Sequence, residues 1–440
     1  MGKPRNRAGH PDADADASSV PGFAHVAYSD LTDVIFRRRS RRFGLGMSIP
    51  DGPLAWTSKS EPVPLSPLEE GVLLALACGV VGLHEGIPFR DGENALSSYS
   101  LRFGGRASPS GGGIGTGELI YTNDTGTYIV RTRDIQPVDP RLAGTERLQA
   151  VVEQVRCATH RLFEHRVEIP RKAPHISAHN LWNANVPGST VFFPVVDVAQ
   201  YLMGFMAMQI QCGAVFFDER TGESCGDLEP FIRSGLLNRD RRVPLVETEK
   251  YGLALSAVDC ALVCQNIVLA EQIMGLGGWL FTGINPISLM GGYADAGAPG
   301  LGFRFVRNKD WLMPNPVGID GVYEGWTPPY VANMHEAAQR MAAMKFGPQG
   351  AYTANRPGPY SPEIQSSAVP YSDEFVACLG TVAQYVHDRY GKFPSTTPTI
   401  YARPYAQAHH LDLDWYEHNL GSHSYTDAHR RHFEDWHRGA

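Results

Sequence analysis

The segment 256–278, SAVDCALVCQNIVLAEQIMGLGG, constrains the fold of this chain more than any other feature. Apolar side chains fill most of its positions, and their removal from water is the main force that drives folding. Glycines at 275, 277 and 278 follow the apolar positions, and glycine there is the usual signal for the end of a helix. The segment is therefore predicted to form a long helix in the core.

A second apolar run covers residues 191–217 and is the longest in the chain. It carries one aspartate and three glutamines, whereas a helix that crosses a bilayer needs roughly 20 residues almost free of such groups. The run is therefore predicted to contain a buried helix that leads into the strand GAVFFD. No association with a membrane is expected.

Composition narrows the class of protein. The 440 residues are 43% hydrophobic and 19% charged, which is typical of a soluble protein with a sizeable core. A net charge of −7 argues against a nucleic-acid-binding protein, because such domains are usually basic. The seven cysteines show no CxxC spacing and are predicted to be reduced thiols. The polar N-terminus has no apolar stretch for a signal peptide, so a cytoplasmic location is expected.

Helical and strand patterns are interspersed along the chain, which favours an α+β fold over regular βαβ alternation. Helices are predicted at 29–40, 65–82 and 141–165. A hairpin is predicted at 118–133 and a loop-rich region at 283–330. Ser29 is the predicted cap of the first helix, and Ser66 with Glu69 forms a predicted capping box at the second. Amphipathic helices are predicted beyond residue 330.

The segment 106–119, RASPSGGGIGTGEL, contains five glycines. It lacks the lysine of a Walker phosphate loop, and its glycines are out of register for a dinucleotide fingerprint. A hairpin rather than a helix follows it. A flexible surface linker is one interpretation. The interpretation we favour is that the missing side chains let the backbone approach a flat ligand.

The segment 37–42, RRRSRR, places five arginines and a hydroxyl at the end of a predicted helix. Guanidinium groups bind phosphate and carboxylate through charge-assisted, bidentate hydrogen bonds, so the segment is a candidate anion-binding site. A solvated basic patch is the alternative interpretation.

Together, these segments resemble the nitroreductase superfamily of FMN-dependent oxidoreductases. An Arg-Arg-Ser-x-Arg element, a Pro-Ser-x-Gly loop and a Gln-Asn helix that ends in Gly-Leu-Gly follow one another in that family. Here RRSRR, PSGGG and QNIVLAEQIMGLGG stand in the same order. The resemblance covers residues 29–290. The residues that it assigns to FMN binding are Arg38, Arg39, Ser40, Arg42, Pro109, Ser110, Gly111, Gly113, Gln265 and Gly277.

The resemblance implies a three-layer α+β fold, in which helices flank a central, mainly antiparallel sheet. It also implies an intertwined homodimer with FMN at the interface. On this basis residues 1–22 are a disordered tail and residues 23–330 form the FMN-binding domain. Residues 331–440 are then a helical C-terminal extension that acts as a lid or wraps the dimer.

The branch of the family with the greatest similarity is the azoline dehydrogenases, which oxidise thiazolines and oxazolines in peptides. That branch carries a catalytic Lys-Tyr-Gly before the Gln-Asn helix, and Lys250 and Tyr251 stand in a similar place here. The resemblance makes them catalytic candidates, with Lys250 removing a proton while hydride passes to the flavin. An exposed charge beside an ordinary aromatic residue is the alternative interpretation. Asp259 and Cys260 replace the Gly-His that the branch has next.

Three functions stay open at this point. FMN carries hydride chemistry through its N5 atom, and the protein binds and orients it. The first expectation is an oxidoreductase for a small nitro, quinone or enone compound, with NAD(P)H as the electron donor if it acts as a reductase. The second is an azoline-type dehydrogenase acting on a peptide or natural-product intermediate. The third is a non-catalytic flavin-binding protein.

The C-terminal tail is rich in histidine and aromatic residues. Its metal-ligand side chains include His409, His410, Asp412, Asp414, and the HxxH pair His429 and His432. The pair lacks the i, i+4 spacing and the intervening glutamate of the metalloprotease signature. Because His429, His432 and Trp436 share a predicted helix face, packing is the favoured interpretation and no metal is expected.

Overall fold

The computed structural model describes residues 20–83, 104–111, 117–139, 141–348, 350, 352 and 368–437. The helices are α1 Pro21–Ala27, α2 Leu31–Arg37, α3 Pro67–Cys78, α4 Gly144–Cys157, α5 Val198–Gln211, α6 Glu229–Arg233, α7 Leu245–Met274, α8 Pro286–Met290, α9 Met334–Phe346, α10 Asp373–Tyr390, α11 Leu413–Leu420 and α12 Asp427–Trp436. The strands are β1 Ser48–Ile49, β2 Trp56–Thr57, β3 Val80–Leu83, β4 Gly104–Arg106, β5 Gly117–Asn123, β6 Gly126–Val130, β7 Thr159–Phe163, β8 Thr190–Asp197, β9 Val215–Asp218, β10 Glu223–Ser224, β11 Arg242–Pro244, β12 Gly277–Phe281, β13 Arg304–Val306, β14 Asn315–Ile319, β15 Tyr323–Glu324, β16 Ile400–Tyr401 and β17 Tyr405–His409.

A seven-stranded antiparallel sheet forms the centre of the molecule, in the order β12-β17-β8-β5-β6-β7, with β16 also paired to β8. Smaller sheets surround it, and the prediction of an α+β fold is confirmed. The predicted hairpin is β5 and β6, in which Tyr121 pairs with Tyr128. Its turn is stabilised by Asn123, whose Oδ1 accepts from the backbone N–H groups of Thr125 and Gly126 at 2.9 and 3.1 Å.

The two faces of this sheet are covered differently. Leu119 and Phe192 point to one face and pack with α1, α3, α4 and α7. Ile120 and Phe193 point to the opposite face and pack with irregular segments between 167 and 184 and between 284 and 303. The alternation follows from the two-residue period of a strand. A separate apolar cluster joins α5, α9 and α10.

Local capping signals agree closely with the structure at α3. Ser66 Oγ accepts from the Glu69 backbone N–H at 3.3 Å, and Glu69 Oε2 accepts from the Ser66 backbone N–H at 2.6 Å, so the predicted capping box is confirmed. At α2 the predicted cap was wrong by one residue. Asp30 caps that helix, because its Oδ1 accepts from the Thr32 N–H at 2.8 Å.

Two predicted helix boundaries were wrong, one at the end of α4 and one at the start of α7. The helix predicted at 141–165 ends at Cys157, because Thr159–Phe163 pairs with β6 as an edge strand. Helix α7 begins at Leu245, earlier than the predicted residue 256. The prediction missed the first turns because charged residues on their outer surface interrupt the apolar pattern. It ends at Met274, and Gly275 adopts the left-handed conformation at φ +78°.

The C-terminal segment is part of the main sheet. Residues 331–440, predicted to be a helical extension, supply helices α9 to α12 but also β16 and β17. Strand β17 lies between β12 and β8, and so it contributes to the middle of the sheet. Residues 1–19 of the predicted N-terminal tail lie outside the described residues, and α1 begins at Pro21.

Helix α7 is central to the packing. It contacts α3 and α5 and the sheet strands β8, β12 and β17. By length and by a mean hydropathy of 1.8, α7 is apolar enough to cross a membrane. In its most apolar 18-residue stretch, 39% of the helix is buried in the fold. One side of an apolar helix is thus covered by the fold and the other is open. All seven cysteines lie in the described part of the chain and are free.

Glu271 of α7 is a buried carboxyl whose two oxygens have no hydrogen-bond partner in the described structure. Burial raises the pKa of Glu271 well above its ordinary value. The unfolded chain therefore releases this proton at lower pH than the folded protein does. Stability is lost as the pH rises from about 4.3, the ordinary pKa of glutamate, towards the raised folded value.

Replacement of Glu271→Met removes this buried polar group. We expect the free energy of unfolding at pH 8 to rise by about 1–3 kcal/mol relative to the parent protein. The difference shrinks as the pH falls towards about 4.3. Urea denaturation at pH 5 and pH 8 measures both effects. Glu153→Met, at an exposed position of α4, is the matched control. A difference between Glu271→Met and the parent that is equal at both pH values would contradict the assignment.

Candidate functional site

The chain between α2 and β1 is fixed against the C-terminal end of α7. The backbone N–H of Arg39 donates to Gln272 Oε1 at 3.3 Å. The backbone N–H of Arg41 donates to the carbonyl of Gly278, at the start of β12, at 3.0 Å. We call Arg38, Arg39, Arg41 and Arg42 the arginine cluster. Its position is set by the end of α7 and the strand that follows.

The arginine cluster carries positive charge, and the described part of the chain offers it no acidic partner. Arg37, just before it, pairs with Asp33 at 2.7 Å, but no member of the cluster forms an ion pair with a carboxylate in the described ranges. Arg41 is buried and donates to Gln272 and to the carbonyl of Ser424. Burial and the nearby charges of Arg39 and Arg38 lower the pKa of Arg41 to about 10.

Arg42 lies among further hydrogen-bond donors. Its guanidinium stacks 3.9 Å from the centre of the Trp279 ring, and its Nη2 donates to Asn180 Oδ1 at 3.2 Å. Burial lowers the pKa of Arg42. Arg42 Nε, Asn180 Nδ2 and Trp279 Nε1 are buried N–H donors with no partner among the described atoms. Such a group of unsatisfied donors suits the oxygen atoms of an anion.

The first residues of the glycine loop are fixed on α7 by Asp259. Ser110 Oγ donates to Asp259 Oδ2 at 3.0 Å, and the Gly111 N–H donates to Asp259 Oδ1 at 2.6 Å. A side chain at Gly111 would lie 2.9 Å from Val258 Cγ1. The Gly111 N–H is therefore occupied by Asp259. Its missing side chain allows close approach to the helix. Gly113 lies outside the described residues.

A narrow cavity lies beside this loop. Cys78, Ser110, Glu118 and Asp259 are among the residues that line it, and its volume is about 30 Å³. A single water needs roughly 10–15 Å³ by this measure, so the cavity accommodates water but not a flavin ring. A flat ligand held by this loop would therefore lie on the open side of α7.

Two residues of the Gln-Asn helix motif, Gln265 and Gly277, are predicted to bind FMN. Gln265 lies on the open side of α7 and Gly277 lies in the sheet. Val258, Gln265 and Gln272 follow one another at intervals of seven residues, so they lie near one face over about 21 Å. Gln265 is exposed, between the loop at Val258 and the arginine cluster at Gln272. Gly277 is buried in β12, where a side chain would lie 2.7 Å from His409 Nε2. Gly277 thus serves sheet packing.

The predicted catalytic residues lie on the outer surface of α7. Lys250 is exposed and pairs with Glu247 at 2.6 Å. This hydrogen bond raises the pKa of Lys250, whereas a catalytic base needs a lowered pKa. Tyr251 is 49% exposed, and its ring lies 4.9 Å from that of Phe205. The described contacts of Lys250 do not favour its role as a base.

Of the predicted metal-ligand side chains of the tail, His410 and His432 lie close together, with ring centres 4.9 Å apart, and the others have different contacts. His429 lies on α12 and its Nδ1 contacts Thr426 Oγ1 at 2.7 Å, and burial lowers its pKa to about 3. Burial likewise lowers the pKa of His409 to about 3. Asp412 caps α11 by accepting from the Trp415 N–H at 3.0 Å. The HxxH pair therefore does not act as a pair, since His432 points elsewhere.

Sequence reasoning missed several residues of this site. Trp279 follows the predicted glycines directly, but nothing in the sequence connects it with Arg42. Asn180 and Asp259 reach the site only through the fold. No family model matches the chain, and no curated protein matches it either. The nitroreductase resemblance therefore stays a prediction that rests on the three motifs.

The contacts of Asp259 predict how the loop responds to mutation. Asp259→Ala removes the acceptor for both Ser110 and Gly111, and we expect a loss of about 1–3 kcal/mol in the free energy of unfolding. Amide hydrogen exchange at residues 108–111 should become faster. Asp259→Asn keeps one acceptor oxygen and should have the smaller effect. Unchanged exchange in Asp259→Ala would contradict the role of this carboxylate in holding the loop.

Proposed function

We propose that this protein is an FMN-dependent oxidoreductase of nitroreductase type. The proposal includes the three-layer fold, with helices on both sides of a central, mainly antiparallel sheet, and an intertwined, cytoplasmic homodimer. It acts on a small organic substrate of the nitro, quinone or enone type. One observation carries the proposal. An arginine cluster with no acidic partner among the described residues lies at one end of α7, and the Pro-Ser-Gly loop docks further along the same helix.

The residues of the cluster suit a phosphate dianion. Arg38 makes no side-chain hydrogen bond with any described residue, so its donors are open to a ligand. Arg42 Nε has no partner among the described atoms, and the guanidinium stacks on the Trp279 ring. Charge-assisted hydrogen bonds from two such groups are stronger than those from a neutral donor. Arg38 and Arg42 would therefore hold the phosphate, with Arg39 and Ser40 beside them.

The loop and the open side of α7 suit the flat part of the cofactor. Ser110 and Gly111, which follow Pro109, are fixed through Asp259, and Gly111 presents no side chain. Gln265 is exposed along the same side and is free to contact a bound ligand. FMN would supply hydride transfer between the substrate and an electron donor such as NAD(P)H. The protein would orient the cofactor and limit the access of water.

A second copy of the chain would complete this arrangement. Val258 is 42% exposed and Tyr251 is 49% exposed on the outer side of α7. Exposed apolar surface of this kind commonly marks a protein interface. A two-fold dimer that covers α7 would also enclose a ligand lying between the loop and the arginine cluster.

The azoline dehydrogenase alternative depends on Lys250, and its ion pair with Glu247 does not favour that role. Kinetic measurements on the bound flavin distinguish an enzyme from a non-catalytic flavin-binding protein. Bleaching of the bound flavin by NADPH, followed by reoxidation with an electrophile, supports a reductase. Flavin that neither nicotinamides nor candidate substrates reduce supports a binding protein.

Removal of cluster arginines should weaken FMN binding. We expect Arg38→Ala and Arg42→Ala each to cost about 1.5–3 kcal/mol, since each removes charge-assisted hydrogen bonds. This corresponds to a rise of about 10-fold to 100-fold in the Kd for FMN, measured by quenching of flavin fluorescence. Arg37→Ala is the matched control, because Arg37 already pairs with Asp33. A parent protein that takes up no FMN, or equal losses in all three variants, would overturn the proposal.

A charge on the open side of α7 should disrupt the dimer. We expect Val258→Arg to shift the protein from dimer to monomer, because a buried arginine without a partner is costly at an interface. Size-exclusion chromatography with light scattering measures the mass. Leu312→Arg, at a fully exposed position away from α7, is the control. A monomeric parent protein, or a variant that stays dimeric, would contradict this assignment of the interface.

A further inference from the structure

We propose that Glu69, His410, His432 and His437 bind a structural zinc ion that joins the C-terminal tail to α3. We call these four residues the Glu-His cluster. Glu69 lies in the first turn of α3, and His410 follows β17 directly. His432 lies on α12, and His437 follows that helix. The site is independent of the proposed flavin chemistry.

The distances suit one small cation. The Nε2 atoms of His410, His432 and His437 lie 3.1, 2.8 and 3.2 Å from Glu69 Oε1. All four ligand atoms lie within 4.8 Å of one another. Ligand atoms at 2.0–2.1 Å from a tetrahedral zinc are separated by about 3.3 Å. Small side-chain rotations would therefore bring the cluster to zinc geometry.

Hydrogen bonds to the backbone fix which ring nitrogens are available. His410 Nδ1 lies 2.9 Å from the Val63 carbonyl, and His432 Nδ1 lies 2.7 Å from the Met274 carbonyl. A carbonyl only accepts, so both Nδ1 atoms carry the proton. A ring that carries its one proton on Nδ1 presents the lone pair of Nε2 to the carboxylate. Histidine ligands of metals are commonly oriented in this way.

His432 provides an independent sign of a missing partner. Its side chain is 3% exposed, and its Nε2 has no hydrogen-bond partner in the described structure, although it lies 2.8 Å from Glu69 Oε1. The two atoms lie within ion-pair distance but are not paired as a hydrogen bond. A lone pair so close to a carboxylate oxygen is repulsive unless a positive charge lies between them. A cation at the centre of the cluster removes that repulsion.

The two oxygens of the Glu69 carboxylate have different roles. Glu69 Oε2 accepts from the Ser66 N–H in the capping box at 2.6 Å, which leaves Oε1 for the histidines. If each ring were protonated instead, three cations would surround one buried carboxylate, with a large desolvation cost. Zinc with neutral imidazoles satisfies every Nε2 with less buried charge.

The donor set identifies the class of metal and its role. Imidazole and carboxylate ligands in tetrahedral arrangement suit zinc among the common divalent metals. Four protein ligands close the coordination sphere, and three of them are buried, which is typical of a structural site. The ion would connect residues on three separate elements and hold the tail in place.

Metal content of the purified full-length protein tests this proposal. We expect about one zinc per chain by mass spectrometry, and background levels in His410→Ala and His432→Ala, because each removes a ligand. His423→Ala is the matched control, since His423 is exposed in the same tail and should retain the metal. Equal metal content in His432→Ala and the parent protein would overturn the proposal.

A second measurement uses the parent protein alone, so it does not depend on the folding of a variant. Removal of zinc by a chelator should lower the melting temperature and speed proteolysis within residues 411–437, and added zinc should reverse both effects. Cobalt added to the chelated protein should give the visible absorption of a tetrahedral site. A chelated protein with unchanged melting temperature and no cobalt absorption would overturn the proposal.

Discussion

The burial of one long apolar helix is the constraint on which the rest of this structure depends. The inward side of α7 is covered by α3, α5 and the central sheet, and each Å² of apolar area removed from water contributes about 25 cal/mol. Its outward side remains open at Val258 and Gln265. The glycine loop is fixed to this helix through Asp259, and the arginine cluster through Gln272. Both groups of predicted cofactor ligands are therefore positioned by one element.

The electrostatics of the arginine cluster are more informative than the number of its arginines. Partly burying a guanidinium costs free energy unless an opposite charge or good acceptors replace the lost water. Arg41 finds neutral acceptors in Gln272 and the Ser424 carbonyl, and Arg42 finds an aromatic face and one amide oxygen. Both pKa values are lowered by burial. An anion at this position would offset that cost, so the site favours one.

Features encoded by neighbouring residues could be predicted, and those that need distant partners could not. The capping box of Ser66 and Glu69 and the β5–β6 hairpin depend on residues a few positions apart, and both were predicted correctly. Strand β7 forms only because β6 pairs with it, and β17 lies between strands that precede it in sequence. In the candidate site, the motifs drew attention to the arginine cluster and the glycine loop. They did not predict that Asp259 holds the loop, since a single aspartate within a helix carries no such signal.

The contacts of the tail histidines also could not be predicted from sequence. The histidines that converge in the structure are not the two that form the HxxH pattern. His429 and His432 form the visible HxxH pattern, yet His432 turns towards Glu69, while His429 contacts Thr426. Glu69 and His410 are 341 positions apart. The same tail accepts a hydrogen bond from Arg41 through the Ser424 carbonyl. A cation that fixed α12 against α3 would therefore also restrict the segment that orients Arg41, and so connect the order of the tail with the geometry of the anion site.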